Sequence, residues 1–178
     1  MRTAILLTGP PGCGKTTAIQ SALARLACPA SGFYTQEIRQ GGSRMGFNLV
    51  TLDGREGILA HTGVRGGPRV GRYGVDLAVM DSLAVEAVRR GIVRRELIVI
   101  DEIGPMELLS RAFQAAVLEA LEADLPVLGT IMRRSAPFAD AVKARPDVRL
   151  IGVQRNRLTS VVEQIVGLLD TQKSAGCA

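Results

Sequence analysis

One segment near the amino terminus restricts the fold more than any other part of the chain. Gly9 to Thr16 read GPPGCGKT, which matches the phosphate-loop pattern G-x-x-x-x-G-K-S/T. The apolar run Ala4 to Leu7 precedes this loop, and apolar residues at helical spacing follow it, namely Ile19, Ala22, Leu23 and Leu26. A strand, a glycine-rich loop and a helix in this order predict a phosphate-binding loop in an α/β fold.

The residue types in this loop suit a phosphate chain. Gly12 and Gly14 allow backbone N–H groups to turn inward, and the helix that begins near Lys15 adds the positive end of its dipole. We predict that Lys15 reaches the β and γ phosphates and that the Thr16 hydroxyl binds Mg²⁺. The predicted nucleotide-binding residues here are Gly9, Pro10, Pro11, Gly12, Cys13, Gly14, Lys15, Thr16 and Thr17.

A second segment, Leu97 to Met106, reads LIVIDEIGPM. Its four apolar residues predict a strand that is buried on both faces and ends before Gly104 and Pro105. Asp101 and Glu102 then lie at the carboxyl edge of the sheet, where adjacent carboxylates need a positive partner. We predict that Asp101 binds the magnesium ion, directly or through water, and that Glu102 orients the attacking water. A role of Glu102 in contacting a phosphoryl acceptor stays open.

The rest of the chain alternates between strand and helix patterns. Parallel strands are predicted at 3–8, 97–101, 126–131 and 148–153. Helices are predicted at 76–90, where Gly91 closes the helix, and along the apolar stripes 106–121 and 158–169. This alternation predicts a P-loop three-layer α/β sandwich, with a mainly parallel central sheet and right-handed crossovers.

Residues 32–61 interrupt the alternation with short strands and glycine-rich turns, and they predict an antiparallel β section that extends the sheet or covers the site. Residues 61–74 hold five glycines together with Arg65, Arg69 and Arg72, which predicts a basic loop. We expect one domain over 1–172 and a flexible tail at 173–178. His61 has no cluster of partners and is expected at a strand end or on the surface.

Composition limits the partners. The formal net charge is +5, and all but Lys15, Lys143 and Lys173 of the 22 basic residues are arginines. Nucleic acid is an improbable main substrate, because the arginines are scattered and aromatic residues are only 3%. No apolar run approaches the length needed to cross a bilayer, so no membrane partner is expected and the expected location is the cytoplasm. The three cysteines lack metal-ligand spacing and are expected as thiols.

Phosphoryl transfer also needs the negative charge on the transferring phosphoryl group to be neutralised, which an arginine can do. Arg133 and Arg134 are the preferred candidates, because they follow a predicted strand at the carboxyl edge. Arg39 and Arg44 from the antiparallel section are further candidates. Thr130, at the end of the same strand, is a candidate for orienting water.

Five segments occur together in one order: GPPGCGKTT, SGFYTQEIR, RMGFNLVTLDG, VGRYGVDL and IDEIGPMEL. Together they resemble the THEP-type nucleoside-triphosphatase family, called cancer-related nucleoside-triphosphatases in animals, over nearly the whole chain. The resemblance implies a magnesium-dependent P-loop enzyme that hydrolyses nucleoside triphosphates to diphosphates and tolerates many bases. The resemblance assigns phosphate binding to Gly9–Thr16, the Walker A motif. It makes Asp101 and Glu102 the acids of the Walker B motif.

The segment QRNRL resembles the family's Asn-Arg element, which would place Asn156 and Arg157 beside the base, the arginine by stacking. The family tends to continue with an acid, whereas this chain has Leu158, and no N-K-x-D sequence is present. The preferred base is therefore left open.

The resulting prediction is a magnesium-dependent nucleoside-triphosphatase acting on ATP, GTP and other triphosphates. One alternative is a nucleotide or nucleoside kinase, which needs an acceptor pocket near residues 32–74. A second alternative is a nucleotide switch or RNA-binding module without catalysis. The sequence predicts no oligomeric state.

Overall fold

The computed structural model describes residues 2–174. Nine strands form one sheet in the order β5-β6-β4-β3-β2-β7-β8-β1-β9. The strands are β1 (Ala4–Thr8), β2 (Ala30–Gln40), β3 (Ser43–Thr51), β4 (Glu56–His61), β5 (Arg69–Val70), β6 (Tyr73–Val75), β7 (Leu97–Ile103), β8 (Val127–Ile131) and β9 (Val148–Gly152).

The helices lie mainly between the parallel strands. They are α1 (Lys15–Leu26), α2 (Leu77–Val79), α3 (Glu86–Arg94), α4 (Arg111–Glu122), α5 (Pro137–Lys143) and α6 (Leu158–Ser174). A π-helical segment, Met80–Val85, joins α2 to α3, and short 3-10 turns are formed by Glu107–Leu109 and Arg155–Arg157. No described helix is both long and apolar enough to cross a bilayer.

The sheet has a parallel half and an antiparallel half. Strands β2, β7, β8, β1 and β9 pair in parallel, and β2 also begins the antiparallel section by pairing with β3. Strand β8 lies between β1 and β7. The loop after β1 and the acids of β7 therefore approach the same edge from strands that are two places apart.

Alternate residues of the central strands enter two separate cores, which makes the molecule a three-layer sandwich. Ile5, Leu7 and Val99 pack with α1 and α6 on one face. Leu6 and Ile100 pack with α3 and α4 on the other face. The predicted P-loop α/β sandwich with an antiparallel section is confirmed.

Several element boundaries differ from the predictions. The helix predicted to close at Gly91 continues to Arg94, because Gly91 lies inside it at a close helix–sheet contact: a Cβ atom there would be 3.1 Å from Ile98 Cγ1. The stripe 106–121 is divided at Ser110, whose hydroxyl accepts a hydrogen bond from the Phe113 N–H at 3.0 Å and caps α4. Helix α5 was not predicted.

The antiparallel section is longer than expected and extends into the predicted basic loop. Its antiparallel pairing begins at Phe33, opposite Thr51, and reaches Val75, because β5 and β6 continue the sheet beyond β4. Arg69 donates to the carbonyl of Arg72, and Arg72 donates to the carbonyl of Arg44. His61 ends β4, as expected, and its Nδ1 accepts from the Gly63 N–H at 3.0 Å.

The end of α6 overlaps the predicted tail. This helix runs to Ser174, so the first two residues of the predicted tail are helical, and 175–178 lie outside the described residues.

Candidate active site

The phosphate loop connects β1 directly to α1. Its backbone follows from its glycines: Gly12 has φ 73° and Gly14, the residue before α1, has φ 100°. These values lie in the left-handed region that glycine adopts without a steric penalty. The loop amides are thereby placed at the amino end of α1, as a phosphate-binding site requires.

Cys13 lies behind this loop rather than in front of it. Its side chain is 6% exposed and packs in the core shared with α1 and α6. A Cβ atom at Gly9 would lie 2.7 Å from Cys13 Sγ and 2.8 Å from the Val153 carbonyl oxygen. Cys13 is thus absent from the cavity lining given below, and its thiol does not face the predicted phosphate site.

Lys15 and Thr16, the first two residues of α1, both line the cavity. Lys15 Nζ donates a hydrogen bond to the Gly9 carbonyl at 3.3 Å, which holds the ammonium group across the loop.

Asp101 lies at the point where the loop and the β7 acids meet. Thr16 Oγ1 donates to Asp101 Oδ2 at 2.6 Å, and Thr130 Oγ1 donates to Asp101 Oδ1 at 2.6 Å. Asp101 is 2% exposed. Burial raises the pKa of Asp101, while the two hydroxyl donors and the charge of Lys15 oppose that rise.

Thr130 does not occupy the position proposed for it. It is completely buried and is not among the residues that line the cavity, so the prediction that it orients water is wrong. The hydroxyl orients the Asp101 carboxylate instead, because β8 lies directly beside β7.

Glu102 follows Asp101 and lines the cavity. Burial raises the pKa of Glu102, the charge of Lys15 lowers it, and the neighbouring Asp101 raises it further. A partly buried carboxylate beside a second one gains from a bound cation and from a proton.

A cavity of about 870 Å³ runs along this carboxyl edge from the phosphate loop to the antiparallel section. It is lined by Gly9, Pro10, Pro11, Gly12, Gly14, Lys15, Thr16, Thr17, Thr35, Glu37, Arg44, Phe47, Asp101, Glu102, Pro105, Met132, Arg133 and Arg134. Most of the predicted site residues therefore share one cavity.

The candidate arginines differ in their partners. Arg133 and Arg134 line the cavity, and no ion pair to either side chain is found within residues 2–174. Arg44 is paired with Glu37 at 2.7 Å and lies over the Phe47 ring. Arg39 is also paired with Glu37 and is not among the cavity residues.

Asn156 and Arg157 are not brought into the cavity. They form the exposed 3-10 turn after β9, on the side of β1 away from β8 and β7. The neighbouring Leu158 contacts the loop, since a Cβ atom at Gly14 would lie 3.2 Å from Leu158 Cδ1. The turn thus lies beside the phosphate loop but outside the cavity.

Sequence reasoning missed the cavity wall formed by β2 and β3, which contributes Thr35, Glu37 and Phe47. The one signal for this wall was the expectation that the antiparallel section extends the sheet or covers the site. It also missed Glu107, a buried carboxyl group in the turn after β7.

Comparisons with known proteins identify the family of this chain. A family model described as NTPase matches residues 4–166. The nucleoside-triphosphatase THEP1 of Thermotoga sp. (strain RQ2) is 43% identical over 165 residues, covering 93% of this chain and 94% of the relative. The mouse cancer-related nucleoside-triphosphatase homolog is 38% identical, with 96% and 98% covered.

A solved structure gives the same result at the level of the fold. The crystal structure of THEP1 from the hyperthermophile Aquifex aeolicus superposes with a TM-score of 0.86 at 32% identity, covering 93% of this chain and 98% of that one. The chain therefore belongs to the NTPase family, and its relatives named above are nucleoside-triphosphatases.

Proposed function

We propose that this chain is a magnesium-dependent nucleoside-triphosphatase that hydrolyses several NTPs to the diphosphate and phosphate. Family membership supports the hydrolase activity. The observation that carries the proposed mechanism is the 2.6 Å hydrogen bond between Thr16 Oγ1 and Asp101 Oδ2, which joins the phosphate loop to the acidic strand.

The donor set fits a magnesium ion that arrives with its nucleotide. Within residues 2–174 there is no group of three or more His, Cys, Asp and Glu side chains able to hold a metal on its own. Thr16 and Asp101 would supply two oxygen ligands, and the remaining positions would be filled by phosphate oxygens and water, which is the usual arrangement for Mg²⁺. When bound, the ion would neutralise charge on the β and γ phosphates.

The other side chains in the cavity would bind the phosphate chain and activate the attacking water. The loop amides and Lys15 would hold the phosphate chain, and Lys15 is already held across the loop by Gly9. Glu102 would accept a hydrogen bond from the attacking water and take its proton as the water oxygen bonds to the γ phosphorus, while the β–γ bridging oxygen leaves with the diphosphate. Asp101 is unsuited to this role, because both of its oxygens accept hydrogen bonds from threonines.

Arg133 or Arg134 would stabilise the charge on the transferring phosphoryl group. Both follow β8, line the cavity and lack an ion-pair partner in the described part of the chain. Arg44 is a weaker candidate, because Glu37 already neutralises it. A catalytic arginine of this kind contributes roughly 10³ to 10⁵ in rate in related phosphoryl-transfer enzymes.

The location of the predicted contacts supports the proposed broad base tolerance. The cavity residues that we assign to the nucleotide contact phosphates, and Asn156 and Arg157 lie outside the cavity on an exposed turn. We propose that Asn156 and Arg157 contact the base only loosely, so that the phosphate chain supplies most of the binding energy.

The central test compares wild type, Glu102→Gln and Lys15→Ala. Glu102→Gln should retain binding of an ATP analogue but lose at least about 100-fold in phosphate release, in keeping with general-base catalysis. Lys15→Ala should weaken both binding of the ATP analogue and phosphate release. Equal phosphate release by wild type and Glu102→Gln would remove the water-activating role from Glu102.

A kinase remains the second candidate, and one observation favours it. The cavity is also lined by Thr35 and Glu37 of the antiparallel section, the region where a phosphoryl acceptor would have to bind. A panel of triphosphates assayed for phosphate release, with and without nucleosides and nucleoside monophosphates, separates the two functions. Steady release from triphosphate alone supports hydrolysis, whereas turnover only with an added acceptor supports transfer.

A further inference from the structure

Glu107 is a buried acid that the mechanism above does not use. It lies in the 3-10 turn after β7, is 5% exposed and forms no ion pair with any described residue. The pKa of Glu107 is raised to about 8: burial is the main cause, the negative charges of Glu102 and Asp101 add to the rise, and backbone N–H groups of Glu107 and Gly104 oppose it. The side chain therefore carries a proton at neutral pH.

The Glu107 and Glu102 side chains both approach Gly104, which has no side chain of its own to keep them away. A Cβ atom at Gly104 would lie 2.9 Å from Glu107 Oε2, 3.2 Å from Glu102 Cγ and 3.3 Å from Glu102 Cδ. Both acidic side chains thus occupy the space that any other residue at 104 would fill. Gly104 has no left-handed φ, so space, and not backbone conformation, explains the glycine.

The turn that carries Glu107 is held firmly. The Leu108 N–H donates to the Gly104 carbonyl at 3.0 Å, and the Ser110 N–H donates to the Glu107 carbonyl at 3.0 Å. Glu102, in contrast, has no side-chain hydrogen bond or ion pair among those found in residues 2–174. On the described structure, Glu107 is thus a fixed neighbour of an otherwise unsupported Glu102 side chain.

We propose that Glu107 is a positioning residue for hydrolysis: its side chain, carried on the hydrogen-bonded turn, packs against Glu102 and holds the Glu102 carboxylate toward the cavity. This inference rests on the proposed role of Glu102 in addressing the attacking water. An ionised side chain at 107 would serve poorly, because it would place a third negative charge beside Asp101 and Glu102. Glu107 itself touches neither nucleotide nor water in this proposal.

The proposal distinguishes the shape and hydrogen bonding of the side chain from its charge. Glu107→Gln keeps the length and polar atoms of a neutral acid and should retain kcat within about threefold. Glu107→Leu fills the space without polar atoms and should lower kcat at least about tenfold, with the Kd for the magnesium complex of a non-hydrolysable ATP analogue changed less than about twofold. Glu163→Gln, an exposed position on α6, serves as the matched control and should match wild type.

The experiment measures kcat and KM from phosphate release, analogue Kd and the thermal midpoint for wild type and these variants, together with Glu102→Gln. Wild-type kcat in Glu107→Leu would overturn the inference, and so would an equal loss in Glu107→Gln and Glu107→Leu, because that would require a charged carboxylate. If Glu107→Leu does not fold, Glu107→Gln with wild-type kcat supports the inference and a tenfold loss overturns it. Full hydrolysis by Glu102→Gln would instead refute the proposed role of Glu102.

Discussion

The carboxylate of Asp101 accepts hydrogen bonds from two threonines that belong to different elements, α1 and β8. Replacing Thr130 by Val keeps the shape but leaves Asp101 Oδ1 buried without that donor. We expect a loss of about 1–3 kcal/mol in the free energy of unfolding, the cost of an unsatisfied buried polar group. The Mg²⁺ concentration for half-maximal phosphate release should also rise.

Thr130→Ser is the matched variant, because it restores the hydroxyl and removes only a methyl group. It should keep the wild-type magnesium dependence and lose about 1 kcal/mol of stability. Denaturant unfolding and magnesium titrations of activity measure both quantities. If Val and Ser variants share the same magnesium dependence, the Thr130 hydroxyl does not orient Asp101.

Glu107 predicts a pH dependence of stability. Its pKa is about 8 in the folded chain against 4.5 for the ordinary carboxyl. Because the folded state binds the extra proton between these values, this group makes the folded chain less stable as pH rises from 4.5 to 8. Glu107→Gln removes that loss, so its stability relative to wild type should grow across this window and stay constant above it.

The expected gain for Glu107→Gln at pH 8 is roughly 2 kcal/mol or more, since one pKa unit corresponds to about 1.4 kcal/mol. Denaturant unfolding of wild type and variant at pH 5, 6, 7 and 8, without nucleotide, measures it. A difference that does not change with pH would show that Glu107 is ionised in the folded chain.

At the residue scale, the sequence was informative where the chemistry is local. Lys15, Thr16, Asp101 and Glu102 were identified because each lies within a short motif, and all four line one cavity. The contact between Thr130 and Asp101 joins residues 29 positions apart, and no motif encodes which hydroxyl lies beside which acid. Asn156 and Arg157 follow β9, so their location depends on which neighbour β9 pairs with in the sheet. No short motif determines that β9 lies on the side of β1 opposite β8.

Among the elements, the pairing of β2 with β7 depends on one glycine. Gly32 faces Val99 across the parallel strands and has φ 132°. A Cβ atom at Gly32 would lie 1.9 Å from the Val99 carbonyl oxygen. Gly32→Ala must therefore displace the strand, and we expect a loss of more than about 2 kcal/mol from strain and overpacking.

Gly167→Ala in α6 is the control, because no atom lies within 4 Å of the added methyl group. It should stabilise the chain by about 0.5–1 kcal/mol through helix propensity. Thermal unfolding of the two variants beside wild type tests the pair. An unchanged midpoint for Gly32→Ala would mean that β2 and β7 can separate without cost.

The elements were predictable in proportion to their burial and length. β1 and β7 were recognised from uninterrupted apolar runs, since both faces of these strands are covered. The break at Ser110 was hidden, because the apolar stripe continues through it and only the side-chain cap marks the start of α4. Helix α5 has seven residues, too few for a clear apolar stripe.

On the scale of the whole molecule, the site is assembled by strands that are distant in sequence. The cavity is lined by the ends of β1, β8 and β7 and by the wall of β2 and β3. A ligand that binds across it should stabilise the complete fold. At about 100 times its Kd, the magnesium complex of a non-hydrolysable ATP analogue should add about 2.7 kcal/mol.

This stabilisation should shrink when EDTA removes the metal, because Thr16 and Asp101 would then lose their shared ion. Lys15→Ala, tested at the same ligand concentration, should show little shift. Thermal unfolding with and without EDTA measures both effects. An identical shift in EDTA would show that the triphosphate binds without a metal.

The two outer strands of the sheet also determine how the molecule resists unwanted association. At one side the sheet ends in β5, which has only two residues, and the guanidinium of Arg69 is folded back onto a carbonyl of its own turn. At the other side, β9 carries the exposed Arg149. Growth of the sheet by a strand from another chain, an early step in many aggregation reactions, is limited at one border by length and opposed at the other by charge.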